Sequence, residues 1–359
     1  MPAGALERVA RRIVAEGVIP SVQISVWRRG TSLVELAVGK ARLAPPWPTT
    51  LDTPYDLASV TKPLVGAGVA AALVERGTLD LDAPVADTLR DVDPRITARM
   101  LLNHSSGYPA WAPLYEQVDR ELWGTGEARR QIFAAARRVP LDREPGVSAT
   151  YSDLGFLVLC QLMERLSEAR IDAMFERLVR SPADVDLRWG WSPRGDEPAA
   201  AATEDCPVRG RVVQGQVHDL NAFAMGGVST HAGLFGTARE VARLADAWHD
   251  PSVLPPREGA LCASLCDCRP FWRAEGPGSH RLGWDAVTRG GYTSTGSRWP
   301  DDGVGHLGYT GTSLWLAPSE GLSMAVLTNR VHPHDDQAHK DAIRAARPLL
   351  HDALWEELA

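Results

Sequence analysis

The chain has 359 residues, 44% hydrophobic and 23% charged, an ordinary globular composition that excludes disordered and collagen-like architectures. This length exceeds the ~100–200 residues of a typical domain, so one large unit or two intimate ones are expected. The net charge of −7 sets aside nucleic acid, which calls for a basic footprint, and leaves a small-molecule substrate as the expectation.

The opening Met1 to Gly17 spaces Glu7, Arg8, Arg11, Arg12 and Glu16 between apolar residues as an amphipathic helix does. It lacks the continuous apolar stretch and small-residue cleavage site of a secretory signal, so a cytoplasmic protein is expected. Five cysteines, an odd and sparse set, do not make a disulfide framework. No apolar run approaches the ~18 residues that cross a bilayer, so no membrane partner is expected.

Ser21 to Gly39 reads as a hairpin: Val22, Ile24 and Val26 alternate with polar residues, and Arg29-Gly30 supplies the turn. Helical spacing follows at Pro63 to Arg76, Ile96 to Leu102, Gly126 to Arg138, Leu154 to Glu168 and Thr237 to Trp248. Thr237 and Glu240 stand at capping-box spacing. Ala199 to Ala202 and the Gly-rich Gly276 to Pro300 read as loops. A second hairpin runs from Thr312 to Ala317, turns at Pro318 to Gly321 and returns over Leu322 to Asn329. Asp336 to Leu358 closes the chain as a helix with Ile343, Ala346, Leu350 and Leu354 on one stripe.

Hairpins at both ends and helices between them predict an α+β fold with an antiparallel sheet built from both chain ends and flanked by terminal helices. The expectation is a single domain over 1–359. Its sheet part covers about 1–60 and 290–359, and a mainly helical insertion covers about 61–289.

Lysine usage carries the chemical signal. Of 38 basic residues only Lys40, Lys62 and Lys340 are lysine, so each retained lysine invites a chemical explanation. Arginine cannot deprotonate in a protein, whereas a buried lysine can serve as a base. Lys62 follows Ser59 by three residues, and Pro63 places a helix start there, which puts hydroxyl and amine on one face. A serine at a helix start also offers its own N–H to a developing oxyanion. By itself this tetrapeptide is a weak signal, equally readable as a helix cap followed by a solvated lysine.

Two further segments bear on it. Tyr151-Ser152-Asp153 precedes an apolar helix, where the tyrosine is either a core ring or a proton-exchange partner of Ser59. Gly305-His306-Leu307-Gly308-Tyr309-Thr310-Gly311-Thr312 leads into a strand, where the glycines permit either a tight turn or a cleft wall.

Taken in order, these segments resemble the serine β-lactamase and penicillin-binding protein superfamily, in its class C β-lactamase, D-alanyl-D-alanine carboxypeptidase and esterase branch. Ser59-x-x-Lys62 matches the superfamily's serine-x-x-lysine motif. Tyr151-Ser152-Asp153 matches its Tyr-x-Asn with an aspartate at the last place, and His306-Leu307-Gly308 matches its Lys/His-x-Gly. The stretches Met100 to Gly107 and Gly226 to Phe235 are similar as well, and the likeness spans roughly Val18 to Asn329.

The resemblance implies a β-lactamase/transpeptidase-like fold and covalent acyl transfer without metal or organic cofactor. Ser59 would attack a carbonyl, and Lys62 and Tyr151 would take up its proton. The N–H groups of Ser59 and Tyr309 would form the oxyanion hole, and water would release the acyl group. Asp153, beside Lys62, would favour the ammonium and shift the base role toward Tyr151. His306, partly charged near neutral pH, would hold a substrate carboxylate less firmly than lysine.

The expected substrate is therefore a small ester or amide. An acyltransferase, a D-amino-acid peptidase or weak β-lactamase, and a decayed binding or assembly module are the alternatives. Of the loop aromatics Tyr108, Trp111 and Tyr115, Trp111 is taken as an acyl-pocket wall.

Other signals are set aside. Gly66 to Ala71 imitates a dinucleotide fingerprint but follows no strand. Cys262, Cys266 and Cys268, and likewise His332, His334, Asp335 and His339, are read as incidental rather than metal-ligating. His218-Asp219 with Ser105 or Ser106 is not read as a triad, because no nucleophile elbow is present. His104 and His231 are expected to brace turns.

Overall fold

The structure is a computed structural model that describes residues 4–190, 200–250 and 265–359. Seven antiparallel strands form its main sheet: β1 (Ser21–Arg28), β2 (Thr31–Arg42), β3 (Trp47–Pro48), β4 (Asp285–Ala286), β5 (Val304–Leu307), β6 (Ser313–Ala317) and β7 (Leu322–Thr328), in spatial order β3-β2-β1-β7-β6-β5-β4. The two chain ends meet at the β1–β7 pairing, where Val22 opposes Thr328 and Val26 opposes Met324. Edge strand β4 lies before residue 290, so the sheet reaches slightly further back than the sequence reading placed it. A two-residue edge strand has no periodicity to read.

The β1–β2 turn forms as expected, with Arg29 and Gly30 both at positive φ (49° and 80°), the geometry that a two-residue hairpin demands. The alternating polar residues of β1 do not face water, however. Val22, Ile24 and Val26 pack against the terminal helices α1 (Ala5–Ala15) and, at the far end of the chain, Gln337–Leu358. Ser21, Gln23 and Ser25 on the opposite face are buried too. There the Gln23 amide donates to the Thr50 and Thr53 carbonyls and accepts the N–H of Ala238, at the start of the helix Ala238–His249. The sheet is thus the middle of three layers.

The inserted helices and the C-terminal one begin where the sequence supplies caps. Thr97, Thr125, Ser152, Thr237 and Asp336 each accept a first-turn N–H from Met100, Ala128, Gly155, Glu240 and His339. Glu240 does not complete a reciprocal box; its carboxylate accepts the Asp186 N–H instead.

The segment after Ser59 departs from a regular α-helix. A 3-10 turn over Ala58–Val60 leads into a widened, π-type stretch over Lys62–Ala67 and then into α2 (Gly68–Glu75). Pro63 brings no N–H to the first turns, consistent with the altered bonding there. Contrary to the composition reading, 58–75 is an apolar run of membrane-spanning length, but it is a core helix, 83% buried. It packs against the helix Asp153–Ser167 so closely that a Cβ at Gly66 would stand 2.7 Å from the Phe156 ring. This contact explains Gly66, and the second glycine of the imitated dinucleotide motif, Gly68, faces Trp248, which a Cβ would meet at 3.0 Å.

Candidate active site

Asp56 to Ser59 is a tightly held junction. Asp56 accepts the N–H of Ala58 (2.8 Å) through one carboxylate oxygen and the N–H of His218 (2.6 Å) through the other. Ala58 adopts a left-handed φ of 47°, a conformation costly for a residue with a Cβ, immediately before the candidate nucleophile. Across the gap, Thr310 Oγ1 donates to the Asp56 carbonyl (2.8 Å) and Thr312 Oγ1 to the Leu57 carbonyl (2.9 Å). The His306 to Thr312 segment is therefore laced to the strip that carries Ser59. Gly308 makes the approach possible, since a Cβ there would stand 1.9 Å from Thr312 Oγ1 and 2.6 Å from the Leu57 carbonyl. Tyr309 follows directly, at the rim.

Lys62 Nζ donates to Ser59 Oγ (2.9 Å), Tyr151 Oη (2.6 Å) and Asp153 Oδ1 (2.5 Å). Three donor protons meet three oxygens, and the side chain is fully buried. Burial disfavours the ammonium, but the charge of Asp153, the Tyr151 oxygen and the hydrogen bonds to both outweigh it, so the lysine pKa is raised. Lys62 rests as a cation, as the aspartate in place of asparagine implied.

The shift of the base role to Tyr151 does not follow. Burial raises the pKa of its phenol more than Lys62 lowers it, and Asp153 opposes ionisation further, so Tyr151 rests neutral. The structure places all four of these residues together. Helix capping by Ser152 fixes Tyr151 and Asp153 on either side of the cap.

Three imidazoles surround the Tyr151 ring: His104 at 4.6 Å, His306 at 5.8 Å and His280 at 6.1 Å between centroids. His104 does brace a turn, at φ 61°, and its Nδ1 accepts the Ser152 N–H (3.0 Å), which also ties it to Tyr151. His306 donates from Nδ1 to the Leu307 carbonyl (2.8 Å). Burial first and the charge of Lys62 second bring its pKa down to about 3. The partial charge expected for His306 is therefore corrected: it is a neutral imidazole at physiological pH. His104 is driven down in the same way, by burial, His280 and Lys62.

These residues open onto a cleft of about 710 Å³. Trp111 and Tyr115 line it, with ring centroids 6.5 Å apart, while Tyr108 turns into the core and donates to the Arg137 carbonyl. Tyr309 forms the opposite rim, its hydroxyl bonded to Asp335 (2.6 Å) and its ring stacked on His218.

Sequence reading missed His280, Glu204 and Asp285 in the lining, and set Asp219 and Asp335 aside as parts of other clusters. They come from separate segments without a shared motif. A Ser–His–Asp string does exist, Ser229 to His231 (2.8 Å) to Asp219 (3.0 Å), but Ser229 is wholly buried. It serves to fix Asp219 at the cleft wall.

His332 uses both ring nitrogens on protein groups, the Thr203 carbonyl and the Leu43 N–H. Cys266 and Cys268 are buried free thiols, and Cys262 lies outside the described residues. Among the described residues, no group of three potential ligands is placed to hold a metal ion.

The profile of the Beta-lactamase family matches residues 6–347, nearly the whole chain. The protein belongs to that family. It is a serine hydrolase of ester or amide bonds with the family's α+β fold. It is similar to the N-acetylmuramyl-L-alanine amidase of Bacillus subtilis (strain 168), at 26% identity over 373 residues, 91% of this chain and 80% of the relative. Among solved structures it is similar to the D-amino acid amidase from Ochrobactrum anthropi SV3, with a TM-score of 0.73 and 18% identity over 99% of each chain. It is also similar to EstCE1, a hydrolase with promiscuous acyltransferase activity, with a TM-score of 0.68 and 20% identity over 96% of this chain and 97% of that one.

Proposed function

We propose that the hydrolase transfers the acyl group of a small ester or amide to Ser59, using the Lys62–Asp153 pair as proton acceptor and Tyr151 as the relay to the leaving group. The contact of Lys62 Nζ with both Ser59 Oγ and Asp153 Oδ1 carries this reading. As found, the pair is neutral overall and holds one transferable proton. Lys62 passes that proton to Asp153 and takes the proton of Ser59, while Oγ forms its bond to the substrate carbonyl carbon. The N–H groups of Ser59 and Tyr309 receive the developing oxyanion. Collapse of the adduct breaks the bond to the leaving group, which takes its proton from Tyr151, and Tyr151 is refilled from Lys62 and Asp153. Water then attacks the acyl-Ser59 ester by the same route in reverse, which restores the serine.

Lys62→Arg tests the assignment. It keeps the cation and removes the ability to give up and regain a proton. The burst of nitrophenol from a p-nitrophenyl ester is expected to slow by ~10²–10⁴-fold, the usual worth of a positioned base. A near-normal burst would remove lysine from the role. Turnover that rises with added amines or alcohols, at constant acylation rate, would extend the reaction from hydrolysis to acyl transfer.

A further inference from the structure

Among the described residues the cleft is lined by five carboxylates, Asp153, Glu204, Asp219, Asp285 and Asp335, and by no lysine or arginine. Four of the five have a partner of their own. Asp153 holds Lys62 (2.5 Å), Glu204 faces His218 (3.3 Å), Asp219 bonds His231 (3.0 Å), and Asp335 pairs with Arg330 (2.7 Å).

Asp285 is different. Its side chain is about one-third exposed in the cleft wall, it accepts only the N–H of Ala286 (3.0 Å), and the nearest ring nitrogen, on His280, is 3.8 Å away. Burial lowers the pKa of that imidazole, against the raising influence of Asp285 itself. Among the described residues no lysine or arginine reaches Asp285 within ion-pair distance. Its neighbour His280 lies 6.1 Å from the Tyr151 ring between centroids, and Asp285 lines the same cleft as Ser59. Trp111 stands on the rim of the same cleft, 46% exposed, and an indole attracts a cation over its face. The one cation at the centre, Lys62, is buried under Ser59 and spent on three oxygens.

We propose that the acyl donor carries an ammonium group, received by Asp285 and the Trp111 face, and that donors bearing a carboxylate there are rejected. This rests on the acyl-transfer reading above and names its substrate class. A carboxylate brought into this cleft would meet Asp285, which has no lysine or arginine partner among the described residues, and a neutral His306 in place of a cation.

Three alanine p-nitroanilides, each as both enantiomers, test it: the free amine, the N-acetyl derivative and the N-succinyl derivative. In the wild-type protein, kcat/KM is expected to fall from the cationic to the neutral to the anionic compound by about tenfold at each step, and the spread to shrink with added salt. Asp285→Asn is expected to narrow the cationic-to-neutral ratio by about tenfold, and Asp285→Lys to reverse the order. Equal rates for the three compounds, or preference for the N-succinyl one, would overturn the proposal from the wild type alone, whether or not the variants fold. Absence of turnover for all three, together with failure of a fluorophosphonate to label Ser59, would overturn the acyl-transfer reading and this proposal with it.

Discussion

At the residue scale, one substitution separates this site from the pattern it resembles. An asparagine at 153 would leave Lys62 to act only when already neutral, whereas Asp153 makes the lysine a resting cation with an acceptor for its proton at 2.5 Å. Asp153→Asn is therefore expected to remove the main influence that raises the Lys62 pKa, and burial then lowers it. The variant can accept the Ser59 proton only once the ammonium is lost. Its acylation rate should drop by ~10–100-fold near pH 7 and climb as pH rises, measured as burst rate against pH. A profile that keeps the wild-type shape would contradict the proton-acceptor role of the pair. The motif residues Ser59, Lys62, Tyr151 and His306 were legible because each belongs to a short local motif, Ser-x-x-Lys, Tyr-Ser-Asp or His-Leu-Gly. The protonation state of His306 was not legible, because it depends on burial and on Lys62, 244 positions away in sequence.

At the element scale, the site depends on how closely the strip after β5 lies against the strip that carries Ser59. Gly308→Ala would force a Cβ against Thr312 and the Leu57 carbonyl. Two hydrogen bonds then lose their alignment, and a misplacement of about 1 Å at an oxyanion donor costs roughly 10²-fold. The expected outcome is a loss of kcat of that order with a modest drop in melting temperature; unchanged kcat would show that the strip does not position the oxyanion donors. Both hairpins and most helix starts were visible in the sequence through turn residues and caps. The π-type stretch over Lys62–Ala67 was not, because Pro63 reads equally well as the first turn of a regular α-helix. The burial of Gln23 escaped for a related reason: a strand covered on both faces can keep an alternating pattern when its polar side chains find partners inside.

At the scale of the whole molecule, burial of histidines ties stability to pH. His306 and His351 are both enclosed, and burial brings each to about 3. Unfolded, they take up protons below about pH 6.5, so the stability they confer is complete above that value and is lost as pH falls toward 3. Each is worth about 1.4 kcal/mol per pH unit within that window. The urea midpoint is expected to fall steadily from pH 7 to pH 4.5, and His351→Phe, on the α1 side of the sheet beside Trp299, to make the fall shallower. A midpoint that is flat or rises toward acid would contradict this. The cleft's charge is also a property of the whole fold. Its five carboxylates come from five stretches between Asp153 and Asp335, and only the folded chain brings them to one cleft.

Peptide mapping by mass spectrometry, on protein quenched during turnover of p-nitrophenyl acetate, tests the account most directly. The acetyl group should reside on Ser59 and be absent, along with the turnover, in Ser59→Ala. An acetyl group on another side chain, or undiminished turnover in that variant, would contradict it.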